Sequence, residues 1–70
     1  MRVVEITREP VELYKVLKFE GLVNSGGEAK VLIGDGQVSV NGEIETRKRR
    51  KMLGGDIIEF RDEQLQLLLV

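Results

Sequence analysis

The apolar residues of this chain change period at Gly34-Asp35-Gly36, and that switch calls for helices before it and strands after it. Upstream, Leu13, Val16 and Leu17 recur at helical spacing, with Glu20 ending the stripe and Tyr14 beside it. The spacing predicts a helix from Pro10 to about Glu20 that Gly21 terminates, with Lys15 and Lys18 on its more exposed side. A second helix is predicted to start at Ser25, which forms the Ser-x-x-Glu capping pattern with Glu28, and Ala29, Leu32 and Ile33 share one of its faces.

Downstream the period is two. Val38 and Val40 alternate with polar residues up to Asn41-Gly42, a dipeptide suited to a two-residue hairpin, and Ile44 begins the return. Gly54-Gly55 predicts another turn. Ile57, Ile58 and Phe60 make a strand, and Gln64 to Val70 a last one after an Arg61-Asp62-Glu63 turn. Ahead of the helices, Val3, Val4 and Ile6 mark Arg2 to Ile6 as a strand, with Thr7 as a cap or turn. The expected class is α+β, with two short helices packed against a small, mostly antiparallel twisted sheet of about four to five strands.

Seventy residues suffice for one domain, 1–70, that buries only about 60% of the surface of its unfolded chain, so the core must be thin. Phe19 and Phe60 are expected in that core. With no cysteine and no histidine, neither a disulfide nor a thiolate or imidazole zinc site supplements it. The apolar stretches are short and interrupted by charge, unlike a signal peptide or a membrane span of about 20 residues. The expectation is a soluble, cytoplasmic protein without cofactor or metal.

The formal charge is -1, but the distribution is uneven. Five of the eleven basic residues are consecutive, Arg47, Lys48, Arg49, Arg50 and Lys51, leaving six against twelve acidic residues elsewhere. Arginine forks and mobile lysine charges clustered in this way neutralise several phosphates together. A solvated loop, a nuclear-localisation signal or a membrane-surface contact are the other uses of such a run. A membrane surface would want an amphipathic apolar face that this segment lacks.

Ser25-Gly26-Gly27 opens the second helix, where free N–H groups and the helix dipole suit an anion and glycine allows close approach. A flexible helix entry capped by Glu28 is the structural alternative. Lys30 lies one turn further in. Gly21 and Gly26 have the spacing of a nucleotide-binding loop, but Gly27 and Glu28 stand where that chemistry requires Lys and then Ser or Thr. No histidine or cysteine is present and the chain is short for a deep cleft, so no general acid/base pair is expected. Asp35 and Asp56, each beside a glycine, suit turn hydrogen bonds to backbone. Base stacking would rest on Tyr14 or on arginine planes.

From Leu13 to Phe60 the chain resembles the RNA-binding domain named after ribosomal protein S-four, and in particular its short stand-alone bacterial members of the YbcJ-like type. The matching stretches are Ser25-Gly26-Gly27-Glu28-Ala29-Lys30, Gly36-Gln37-Val38-Ser39-Val40-Asn41-Gly42, Glu45-Thr46-Arg47-Lys48-Arg49-Arg50-Lys51 and Gly55-Asp56-Ile57-Ile58. The resemblance implies a helix-turn-helix face, the alpha-L motif, beside a small twisted sheet, with structured RNA, ribosomal or transfer RNA, gripped between the helices and the basic loop, and no catalysis. The wider family's helices usually start Arg-Leu-Asp and Ser-Arg, whereas here those positions read Val11-Glu12-Leu13 and Ser25-Gly26. That departure moves the expected RNA contacts to residues 47–51, with Lys15, Lys18 and Lys30, together with Ser25, Gly26 and Gly27, as secondary ones.

The expected partner is therefore structured RNA, with the ribosome as its implied setting, bound by a monomer that takes no small-molecule substrate. A protein adapter whose basic loop docks on an acidic partner is the alternative. DNA binding through the helices ranks third, because Glu12, Glu20 and Glu28 would repel a duplex backbone.

Overall fold

In the computed structural model, which describes residues 1–70, the element order is β1 (Arg2–Ile6), β2 (Val11–Glu12), α1 (Leu13–Phe19), α2 (Gly26–Gly34), β3 (Val38–Val40), β4 (Glu43–Ile44), β5 (Lys51–Met52), β6 (Ile57–Phe60) and β7 (Glu63–Leu69). The α+β class expected from the period switch is what forms. β1, β7, β6, β3 and β4 lie side by side in that order in one sheet, and β2 pairs with β5 in a second. All pairings are antiparallel except β1 with β7, which run parallel from Arg2 opposite Leu65 to Ile6 opposite Leu69.

Several local signals are obeyed to the residue. Val40 pairs with Glu43, so Asn41-Gly42 is a two-residue hairpin loop, with φ of 52° and 86° at its two positions. Those left-handed values twist the turn in the sense that the strands require, and Asn and Gly adopt them at least cost. Asn41 also ties the hairpin to β6, since its side-chain oxygen accepts from Ile57 N–H at 2.9 Å and its amide donates to Asp56 at 3.1 Å. Asp56 makes its expected turn bond, accepting from Leu53 N–H at 2.8 Å. Asp35 makes no side-chain hydrogen bond and serves as the residue following α2.

Three expectations are corrected. The first helix starts at Leu13, not Pro10, because Val11 and Glu12 pair with Met52 and Lys51; Glu12 is therefore a strand residue. That pairing joins residues some forty positions apart and leaves no trace in the local spacing. The turn before β7 is only Arg61-Asp62, with Glu63 already opposite Phe60. Finally, Phe19 is 74% exposed. It follows Leu13, Val16 and Leu17, whose side of α1 faces the core, and at that position on the helix it points away from them.

The core is one cluster that α1 and α2 share with one face of the larger sheet. Leu13, Leu17, Ala29 and Ile33 from the helices meet Val38, Ile58, Phe60 and Leu65 from the strands, all fully buried or nearly so. Phe60 keeps its expected core place, and truncating a side chain of that size in such a site costs about 3–5 kcal/mol. No helix is long and apolar enough to cross a membrane.

Candidate nucleic-acid interface

The basic run is held by α1 and by one buried acid. Leu13 N–H donates to the carbonyl of Arg50 at 3.0 Å and Tyr14 N–H to that of Lys48 at 3.2 Å. Helix N–H groups that have no partner within α1 are thus satisfied by the loop itself. The basic segment and the first turn of α1 form a single hydrogen-bonded unit, adjoining the β2–β5 pair.

Glu45 is the one charged residue in the interior, 6% exposed, and it lies two residues before the run. Arg47 clasps it with a fork, Nε to Oε2 and Nη2 to Oε1, each at 3.0 Å, and adds its backbone N–H at 2.8 Å. Arg50 Nη1 donates to Oε1 at 2.8 Å. Charge-assisted bonds of this kind favour the ionised acid. The Arg47 hydrogen bonds, helped by Arg50 and opposed by burial, lower the Glu45 pKa from 4.5 to about 2. The same contact raises the Arg47 pKa. Glu45 therefore cancels one of the five positive charges and fixes the shape of the loop that carries the rest. The Arg47 side chain stays 74% exposed, whereas that of Arg50 is 29% exposed and is mainly a fastener.

Three further cations gather on an aromatic ring. Lys30 Nζ of α2 lies 4.6 Å from the Tyr14 ring centroid, the Arg49 guanidinium 5.8 Å and Lys15 Nζ 5.9 Å. The ring's negative face attracts them without neutralising them. Lys15 also has a carboxylate, Glu12, at 3.3 Å; Lys30 and Arg49 have none. Gly26 lets α2 approach, since a Cβ there would sit 3.4 Å from the Tyr14 ring. Gly34 does the same for Lys48, whose Cε would lie 3.3 Å from an added Cβ, so the lysine stem crosses the last turn of α2. A cation is favoured at that helix end.

The residues proposed from sequence are thus divided by the fold. Lys15, Lys30, Lys48, Arg49 and Gly26 converge around Tyr14 and along α2. Arg47 and Arg50 bind Glu45, and Lys51 belongs to β5 opposite Glu12. Lys18 is exposed one turn beyond Tyr14. Ser25 caps α2 by accepting from Glu28 N–H at 3.1 Å, and the Glu28 carboxylate turns back to Asn24 N–H at 2.9 Å, one residue beyond the usual capping-box partner. A Cβ added at Gly27 would make only an ordinary contact, with Ser25 Oγ at 3.8 Å. Sequence reasoning missed Glu45 as the organiser of the loop and Tyr14 as the centre of the cluster. An acid two positions before a cationic run was the available signal for the first.

Residues 4–68 match the S4 domain family. The chain belongs to that family. YbcJ of Escherichia coli (strain K12) is 45% identical over 58 residues, 83% of each chain. A Bacillus subtilis (strain 168) protein named "Probable ribosome maturation protein RlbA" is 36% identical over 57 residues, 81% of this chain and 80% of that one. The solution structure of YbcJ from E. coli, described as revealing an alpha-L motif involved in RNA-binding, superposes with a TM-score of 0.75 at 40% identity, covering 97% of this chain and 87% of the other. The architecture is thus a family property, shared with a solved relative over nearly the whole of this chain.

Proposed function

We propose that this protein is a non-enzymatic RNA-binding module, built from residues 1–70, that grips structured RNA by its phosphate backbone. The observation that carries the reading is the convergence of Lys30 and Arg49, from separate elements, on the Tyr14 ring with no carboxylate to neutralise them. Beside them Lys48 extends over α2 and Arg47 presents its outer face. A fixed array of unneutralised cations suits a ligand of repeated negative charges at regular intervals, and A-form RNA displays phosphates and 2′-hydroxyls while hiding its major-groove edges. The proposed phosphate contacts are Lys30, Lys48, Arg49 and the exposed side of Arg47, with Lys15, Lys18, Lys51 and the Gly26-Gly27 amides at the margins. Ribosomal RNA is the proposed class, supported by the name of the Bacillus subtilis relative.

The test is fluorescence anisotropy of a labelled RNA stem titrated with the full chain at several salt concentrations. If about four phosphates are engaged, the log-log slope of affinity against salt is near -3. A flat response overturns the mechanism, and a tighter complex with the matching DNA duplex overturns the choice of RNA.

A further inference from the structure

Phe19 ends α1 with its ring in solvent, at the rim of a groove of about 460 Å³ that runs between β1 and α1. Val4, Ile6, Val11 and Val16 supply the apolar walls. The volume falls in the range of about 300–1,000 Å³ usual for ligand sites. Of the acids lining it, Glu12 is neutralised by Lys15 at 3.3 Å and Glu20 by Arg2 at 3.5 Å, which leaves Glu5 as its one unpaired carboxylate. Of the cations, Arg8 and Lys51 have no carboxylate within ion-pair distance. The groove also joins the cation cluster. Lys51 closes the basic run, Lys15 lies 5.9 Å from the Tyr14 centroid, and both line the groove.

We infer that this groove receives one unpaired base of the bound RNA, stacked on Phe19, with the adjoining phosphate held by Arg8 and Lys51; the inference rests on the RNA-binding reading above. Sequence-specific and structure-specific RNA recognition commonly uses splayed bases laid on aromatic rings, because every base has a π-face. The pairing of an exposed ring and apolar walls with free cations at the edge fits a nucleotide, which is flat and apolar on its faces and anionic at its backbone. An apolar peptide would cover Phe19 but leave Arg8 and Lys51 without anions. A stem lying across the Tyr14 face would bring a bulged nucleotide to the groove, since Lys15 belongs to both surfaces and Lys51, at the end of the basic run, lines the groove.

The experiment compares two labelled RNA stems, one fully paired and one identical except for a single bulged nucleotide, binding to the full chain and to Phe19→Ala. The wild type is expected to prefer the bulged stem by on the order of ten-fold. Phe19→Ala is expected to lose that preference while binding the paired stem as before, and the Phe19 ring protons of the wild type should shift upfield in the bulged complex. Phe19 is exposed, so its removal leaves the core untouched. Equal affinity of the wild type for both stems, or a preference that survives Phe19→Ala, overturns the inference while the RNA reading stands. Failure of the wild type to bind either stem overturns both.

Discussion

Arg50 donates through Nη1 to Glu45 Oε1 at 2.8 Å, so one member of the basic run holds in place the loop that displays the others. Charge and contact are therefore different properties along residues 47–51. Arg50→Gln should lower stability by about 1–3 kcal/mol, because a buried carboxylate loses a charged partner. Lys48→Gln and Arg49→Gln should leave stability nearly unchanged. Each of those two should instead reduce the salt slope of RNA binding by about 0.7–0.9, the share of one phosphate. Thermal melting and salt-dependent anisotropy on the same variants separate the two classes, and identical behaviour of all three would refute the division.

The clamp also sets a pH dependence. The folded pKa of Glu45, about 2, lies below its ordinary 4.5. A depressed acid contributes stability that is fully present above the unfolded value and is lost as pH falls through the folded one. The window is thus pH 4.5 down to 2. Glu45→Gln should lower Tm at pH 7 by roughly 4–16 °C, the equivalent of about 1–2 kcal/mol in a chain this size. The gap between wild type and variant should then narrow from pH 5 to pH 2. A gap that stays constant across that range would show that ionised Glu45 contributes nothing.

Tyr14 organises cations through its ring, and the hydroxyl is not needed for that attraction. Tyr14→Phe should bind RNA within about two-fold of wild type, while Tyr14→Leu, which keeps apolar bulk without a quadrupole, should weaken binding by about five- to thirty-fold from the release of Lys30 and Arg49, at about 0.5–1 kcal/mol per contact. Equal losses for the two variants would instead assign the hydroxyl a role.

How far the sequence reached depends on the range of the interaction. The Asn41-Gly42 hairpin and the Ser25–Glu28 cap rest on residues within three positions of one another, and the structure realises both. The β2–β5 pair and the parallel β1–β7 register join distant segments, and no local pattern specifies them. Charge clustering pointed to residues 47–51 but counted all five alike, because a sequence does not show that Glu45 is buried with Arg47 and Arg50 around it. Phe19 was misplaced by hydrophobicity alone, since a small core already filled by Leu13 and Leu17 leaves the outward side of α1 in solvent whatever residue it carries.

Gly27 supplies the last test. It lies inside α2 with no positive φ, and an added Cβ would meet nothing nearer than Ser25 Oγ at 3.8 Å. The fold therefore has room for alanine there, and glycine in a helix costs about 0.5–1 kcal/mol relative to alanine. Gly27→Ala should raise stability by up to that amount. If glycine is present to let a phosphate approach the amides at the start of α2, the same substitution should weaken RNA binding about three-fold or more with the salt slope unchanged, because a methyl group adds bulk and removes no charge. Melting and anisotropy measured on the one variant decide it: stability and affinity moving in opposite directions places RNA at this helix start, whereas a stabilised protein with unaltered affinity confines the contact surface to the side chains of Lys30, Lys48 and Arg49.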